Sequence, residues 1–286
     1  MNRTRGAGAK STTGYTAKMF TPKRGVTVAS WNVRTAYQVV QKEIIAREFV
    51  RYKVNFAALS ELRLTGSDEQ KYLFPTETLR LFYSSGDKHT EGVGFALDEN
   101  AVNCVLAFHP ISSRIAVLTL SGTTRTDIFS VPTEIGPDDA KDDFYNSLRT
   151  AIDLVSKTDV ILIAGNFNAR VGRNRSGWEE VLGRHGVGEV NDNGVRLLTF
   201  AAANGLLIGN SIFQHRQIHQ LTWRTPNGTD SALLDYVLIN RQFRTSISDV
   251  RVKRGADCGS DHHLVCARML RLQKARGSTK RIIRRN

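Results

Sequence analysis

The sequence predicts one α/β domain over about residues 25–272, with two sheets packed face to face and helices on their outer surfaces. Two observations carry this. Short apolar runs of strand length, such as VTVASW, FAALS, VILIA and LLDYVLI, alternate in one continuous pattern with two or three stretches of helical period. No Pro- or Ser-rich linker interrupts that pattern, and no repeat recurs at a fixed period. A chain of 286 residues is long enough to bury a sizeable core around such an arrangement.

Taken in order, residues 1–24 are rich in Gly, Ser, Thr and Lys without periodicity, and read as a disordered basic arm. A strand over 26–31 ends at Asn32. Ile45, Phe49 and Tyr52 fall at helical spacing and predict an amphipathic helix over 38–52. A second buried strand, 56–60, ends in Glu61. Strands at 79–84, 92–97, 102–108, 114–120 and 126–130 then read as a meander in an antiparallel or mixed sheet. Asp138 and Asp139 suit the positive end of a helix dipole, opening a helix that buries Phe144, Leu148, Ile152 and Val155, with Lys157 at its end.

The stretch DVILIAGNFNARVG, 159–172, is the most informative. Its apolar run predicts a strand buried on both faces, stopping at Gly165 to deliver Asn166 and Asn168 on a turn, with Arg170 beyond. A long Gly-rich loop over 169–191 follows, with Trp178 as its packing anchor. Asn193 is the expected N-cap of a helix with Val195, Leu198 and Ala202 facing inward, stopped by Gly205. The last predicted strands are 206–208, 221–224, 233–239, 250–253 and 264–272, leaving 273–286 as a basic tail.

The net charge of +13 lies at the ends. Residues 1–24 hold six Lys or Arg and no acid, residues 262–286 hold eight and no acid, and the body between sums to −1. Two basic ends suit a polyanion held by sequence-blind phosphate contacts, so nucleic acid is the expected partner: DNA, or alternatively RNA. Arg63 and Arg170 in the body, with Lys274, Arg276, Lys280 and Arg281 in the tail, are the candidate contacts. No stretch is apolar for long enough to span a bilayer, and the basic N-terminus lacks the apolar segment of a secretory signal. Cys104, Cys258 and Cys266 are too few and too scattered for a disulfide framework or a zinc site. The expectation is an intracellular protein with free thiols, compatible with the nucleus, without membrane contact or a small-molecule cofactor.

Polar residues interrupt or end apolar runs at six places: Asn32, Glu61, the pair Asn166 and Asn168, Asp235 within LLDYVLI, Asp261, and His262. One such residue is ordinary strand termination; the set, with a carboxylate inside a core strand, points to a site. A buried Asp235 must be paired or hydrogen-bonded, and a histidine is its natural partner.

In order and separation, SWN, SELR, GNFNARVG, LLDYVLI and GSDHH resemble the endonuclease/exonuclease/phosphatase superfamily, which includes DNase I-like and apurinic endonucleases. RGADCGSDHHLVCARMLRL and GNFNARVG are most similar to its branch of non-LTR retrotransposon endonuclease domains and craniofacial development protein 2-like proteins. The resemblance covers about residues 25–272. The reverse-transcriptase half of a full element is absent from the sequence, which suggests a free-standing domain or a fragment.

The resemblance implies a four-layer α/β/β/α sandwich of two mixed sheets with helices outside, and phosphodiester hydrolysis with a divalent metal, Mg2+ or Mn2+. It assigns Glu61 to the metal, with Asn32 near it and Asp261 beside the metal or the water. Asn168 would donate to a phosphate oxygen, and His262 would face the scissile phosphate with Asp235 setting its tautomer. Two positions depart from the pattern. Asn166 stands where the family's Gly-Asp-Phe-Asn carries the aspartate assigned to the attacking water, and a carboxamide cannot take that proton. Ser130, in SVPTE, stands where the family tends to have a tyrosine. The expected function is therefore a weakened retroelement-type endonuclease. The alternatives are a nucleic-acid-binding module of the same fold that does not cut and, less favoured by GNFNARVG, a phosphatase acting on small phosphoesters.

Overall fold

Residues buried on both faces build β1 (Val26–Asn32), and Ile45, Ala46 and Phe49 form the buried stripe of α1 (Val39–Tyr52) in the computed structural model of the chain. The structure describes residues 25–132 and 136–269. Helix α1 stops at Lys53, whose left-handed backbone (φ 54°) turns its N–H back onto the carbonyls of Phe49 and Val50. Next come β2 (Phe56–Ser60), β3 (Ser67–Leu73), β4 (Thr78–Ser84) and β5 (Val93–Leu97). A single helical turn, α2 (Glu99–Val102), follows, capped by the Asp98 carboxylate on the Ala101 N–H. The chain continues through β6 (Val105–Ser112), β7 (Ile115–Leu120), β8 (Thr126–Pro132), α3 (Asp138–Asp153), β9 (Val160–Asn166), β10 (Val171–Gly172), β11 (Val187–Val190) and α4 (Asp192–Ala203). It closes with β12 (Leu206–Ile208), β13 (Trp223–Arg224), β14 (Ser231–Ala232), β15 (Asp235–Asn240), β16 (Ile247–Lys253) and β17 (Leu264–Met269).

Thirteen of these strands form two mixed sheets, in the orders β16-β17-β1-β2-β5-β4-β3 and β12-β15-β9-β8-β7-β6, and β10–β11 and β13–β14 pair as separate hairpins. Between them lies a core of Val28, Phe56, Ala58 and Phe95 from the first sheet and Leu118, Ile128, Leu162, Val237 and Ile239 from the second. On its outer face the first sheet packs Trp31 and Leu59 against Ile45 and Phe49 of α1. The second packs Phe129 and Ile163 against Phe144 and Leu148 of α3 and Leu197 and Leu198 of α4. The result is the expected four-layer sandwich.

Gly165 makes the closest approach in the second sheet. A Cβ there would lie 1.5 Å from the Val131 carbonyl oxygen and 2.6 Å from its carbon, and the backbone of a paired strand cannot yield as a flexible side chain does. Gly165→Ala is expected to cost about 3 kcal/mol or more, beyond ordinary overpacking. Urea unfolding would show it as a lower midpoint at unchanged slope.

Several local expectations are corrected. The run read as one meander is divided: β4 and β5 belong to the first sheet and β6, β7 and β8 to the second. Strand β3 was missed because SDEQKYL is polar and its side chains are mostly exposed, as suits a sheet edge. The strand expected from Val102 begins at Val105, because Asp98 caps α2 across Glu99–Val102. Asn191, not Asn193, caps α4, its side chain accepting from the Gly194 N–H. The buried face also differs: Leu197, Leu198 and Ala201 pack against the second sheet, whereas Val195 and Ala202 are exposed. The 169–191 loop holds the short hairpin β10–β11, and Trp178 packs partly buried against the second sheet's outer core. The strand expected at 221–224 is reduced to β13.

The basic arm 1–24 and the tail 273–286, with Lys274, Arg276, Lys280 and Arg281, lie outside the described residues. Among the described residues, no helix is long and apolar enough to cross a membrane.

Candidate active site

A strand's side chains alternate, so the core-facing residues of each strand also determine what reaches the cleft between the sheets at its end. On β1, Val28 faces the core, which puts Ser30 and Asn32 on the same face; on β2, Phe56 and Ala58 do the same for Ser60. On β9, Leu162 and Ala164 lead to Asn166, and on β15, Val237 and Ile239 bring Asp235 inward. Strand β1 runs parallel to β2, and Asp235 pairs with Asn166 across the antiparallel β15–β9 ladder. His262 precedes β17, whose start lies beside the end of β1. One end of the inter-sheet core therefore collects Asn32, Glu61, Asn166, Asp235 and His262.

Two side-chain pairs form among these groups, and Asn166 bonds within its own turn. The His262 Nδ1 lies 2.8 Å from Asp235 Oδ2, both side chains being buried, so the expected acid–histidine pair is present. Asp235 Oδ1 has no hydrogen-bond partner. Asn32 Nδ2 donates to Glu61 Oε1 at 2.7 Å, and Arg63 donates to Glu61 Oε2 at 3.1 Å. Asn166 Oδ1 accepts the backbone N–H of Asn168 at 2.9 Å. Asp261 lies just outside, with Oδ2 accepting from Trp223 Nε1 at 2.9 Å. Burial on its own pushes the His262 imidazole down, but the charge and hydrogen bond of Asp235, with Asp261 and Glu61 behind them, outweigh it and hold it above the usual histidine range.

Ser130 sits elsewhere. It is wholly buried on β8, and its hydroxyl donates to the Leu59 carbonyl across the gap between the sheets at 2.9 Å. Ser30 and Ser60, also buried, have hydroxyls without partners. Three small hydroxyls thus lie buried in the gap between the sheets. Arg170 is on the rim, ion-paired to Asp230 at 3.1 Å.

Left-handed backbone marks the same end of the fold. Arg34 (φ 60°), Glu61 (φ 56°), Arg63 (φ 54°) and Asn168 (φ 45°) all occupy this region, which costs a non-glycine residue roughly 1–3 kcal/mol. Such strain persists where surrounding contacts over-determine it. Here the Asn193 amide bonds the Phe167 and Asn168 carbonyls, and Leu62 and Arg63 donate to the carbonyls of Gly92 and Glu91.

Sequence reasoning missed several supports. Thr222 Oγ1 accepts the Leu234 and Asp235 N–H groups, and Asn210 bonds the backbone of Asp235 and Val237, so these two hold Asp235 in register. Ser260 donates to the Asn32 carbonyl and accepts the His262 N–H, joining the loop that carries His262 to β1. None has a local signature, because each acts across a long stretch of chain or within an ordinary turn. Two shallow grooves flank the β13–β14 hairpin. One, of about 350 Å³, is lined by Arg170 and Arg173; the other, of about 280 Å³, by Trp223, Arg224, Arg254 and His263. Arg173, Arg224 and Arg254 thus extend the expected basic contacts.

The donor set bears on the implied metal. Among the described residues, no three His, Cys, Asp or Glu side chains are grouped to cage an ion. The oxygens of Glu61, Asp261 and Asn32 nevertheless fit a hard cation that keeps much of its water, as Mg2+ does. Three carboxylates around one histidine would also repel a phosphate unless a cation stood between them.

A family model described as the endonuclease/exonuclease/phosphatase family matches residues 29–262. The craniofacial development protein 2 of Tragulus javanicus is 28% identical over 246 residues, 84% of this chain, which spans only 42% of that protein's length. The endonuclease domain of TRAS1, a telomere-specific non-LTR retrotransposon, has a similar fold: TM-score 0.59 at 16% identity, over 88% of this chain and all of that domain. The AP endonuclease LMAP of Leishmania major gives 0.60 at 13% identity, over 87% of this chain and 89% of its own.

Proposed function

The chain belongs to the endonuclease/exonuclease/phosphatase family, and from that premise we propose that it is a retroelement-type DNA endonuclease whose catalytic rate is held low by Asn166. The observation that carries the reading is the buried Asp235–His262 pair at the mouth of the inter-sheet cleft, with Glu61 and Asn32 hydrogen-bonded beside it.

The chemistry follows from these side chains. Asp235 accepts from Nδ1 of His262, which leaves Nε2 as the ring nitrogen for a phosphate oxygen. The raised basicity of the ring favours its charged form, suited to a dianionic transition state. Glu61, Asn32 and Asp261 would hold Mg2+, or Mn2+, which when bound supplies charge neutralisation to the phosphate. Asn168 would donate to a non-bridging oxygen. A water must still lose its proton, and Asn166, with its Oδ1 on the Asn168 N–H, has no basic group to receive it. That deficiency favours one second reading, a module that binds nucleic acid without cutting it.

Supercoiled plasmid with Mg2+ tests both. The native chain is expected to nick slowly, and chelation, Glu61→Ala or His262→Ala is expected to abolish the nicks. Nicking that survives all three would belong to a contaminant and would remove the endonuclease reading. The grooves and both basic ends would hold the phosphate backbone. Deleting residues 1–24 and 273–286 is expected to weaken DNA binding and flatten its salt dependence, by about 0.9 in log–log slope for each phosphate no longer neutralised. A fluorescence titration at several salt concentrations reads the slope, and an unchanged one rules out a role for the ends.

A further inference from the structure

The opposite end of the second sheet holds a pocket that the phosphodiesterase chemistry does not use. Asp127 pairs with Ile161, five residues before Asn166 along β9, so roughly 16 Å of strand separates it from the site. Helix α3 covers the outer face of this sheet but ends at Asp153, and beyond its end the sheet is open. The opening has a volume of about 470 Å³, a size suited to a small organic molecule. Its walls are largely apolar, with Val117 and Ala151 below and Ile111 and Leu154 at the mouth. Leu154 is 85% exposed, with its side chain spread at the rim instead of folded into the core.

The floor is a carboxylate. Asp127 is 3% exposed, and its Oδ1 accepts from the Thr119 hydroxyl at 2.5 Å, yet its Oδ2 has no hydrogen-bond partner. The nearest cation is Arg125, whose Nε stands 3.8 Å from that oxygen and 3.7 Å from Asp159 Oδ2, too far to bond either. The guanidinium is half exposed and divided between two acids. A buried carboxylate oxygen with no hydrogen bond and only a distant cation is costly, and burial accordingly pushes the Asp127 carboxyl above its ordinary range, against the opposing pull of Thr119, Arg125 and His109.

We propose that this pocket binds a small ligand bearing one ammonium or amidinium group on an apolar body, the cation donating to Asp127 Oδ2 and the body lying against Leu154 and Val117. Two acids face Arg125 and His109, the atom without a hydrogen bond is an acceptor, and Val117, Ala151 and Leu154 offer apolar surface for a stem. An anion would meet the two carboxylates with only Arg125 and His109 to offset them. This site stands independently of the nuclease reading.

Phenethylammonium is the probe, with 2-phenylethanol and phenylacetate as neutral and anionic counterparts, followed by ligand-observed NMR. Phenethylammonium is expected to bind with a Kd of about 1 mM or tighter, and the other two at least about tenfold more weakly. Asp127→Asn keeps the shape and the acceptor for Thr119, and is expected to weaken the amine at least about tenfold. Leu154→Lys, at an exposed position, puts a competing ammonium at the mouth and is expected to do the same, with the fold checked by circular dichroism. No amine binding up to about 10 mM, equal binding of the three probes, or full affinity in Asp127→Asn each overturns the proposal. Stronger binding of phenylacetate would instead make Arg125 the anchor and overturn it equally.

Discussion

Asn166→Asp is expected to raise plasmid nicking at least about tenfold, since supplying a general base commonly contributes about 10²–10⁴ in rate. The local geometry can accept the change. Asn166 Oδ1 holds the turn by accepting the Asn168 N–H, and one oxygen of an aspartate can keep that bond while the other faces the water. Strand pairing with Asp235 is a backbone matter and does not change with the side chain. The substitution adds a carboxylate near Glu61, Asp235 and Asp261, so its gain should depend on Mg2+ and disappear on chelation. Initial nicking rates of both proteins, across a magnesium titration, measure this. An unchanged rate at saturating magnesium would show that Asn166 does not limit catalysis. Restoring a tyrosine at Ser130 is a different matter. Ser130 is wholly buried and bonded across the sheets to Leu59, so a ring there must displace packed core at a cost of about 1–3 kcal/mol. The gain is expected from Asn166 alone.

The second large effect is expected at Asp235. In the Asn166→Asp background, Asp235→Asn should lower nicking by about 10²–10⁴-fold, because an amide can stabilise neither the charged ring nor the tautomer that presents Nε2. Thr222 and Asn210 hold the backbone at this position, so the fold should survive the isosteric change. Asp235→Ala should behave differently. It leaves a buried histidine without its partner and is expected to cost about 3–5 kcal/mol of stability, the range for breaking a buried pair. Urea unfolding of the two variants separates the roles: a stability loss confined to alanine with an activity loss in both assigns Asp235 to positioning His262. Full nicking by the asparagine variant would remove the pair from the mechanism.

Much of the fold was legible in the chain because burial leaves a periodic trace. The VILIA run, the Ile45 and Phe49 stripe and the Phe144–Leu148–Ile152 face all place apolar residues at the spacing of the element they build. What failed lacked that trace. Strand β3 is a polar edge, and α4 carries two asparagines near its start, of which the local pattern favours the wrong one. The division of the 79–130 run between two sheets was also illegible, since alternate burial is the same whichever sheet receives the strand.

The turn at residues 165–168 shows where the two kinds of information part. Residue identity and periodicity suffice to show that a buried strand ends there in Asn166 and Asn168, and that an amide stands where the resembling family has an acid. It takes the folded chain to bring Asp235 opposite Asn166, to set Asp235 against His262, and to bond Ser130 to Leu59 in the core. Those contacts join residues 27 to 71 positions apart or across sheets, and their geometry depends on register and on the packing of one sheet against the other. No local pattern in the chain encodes either.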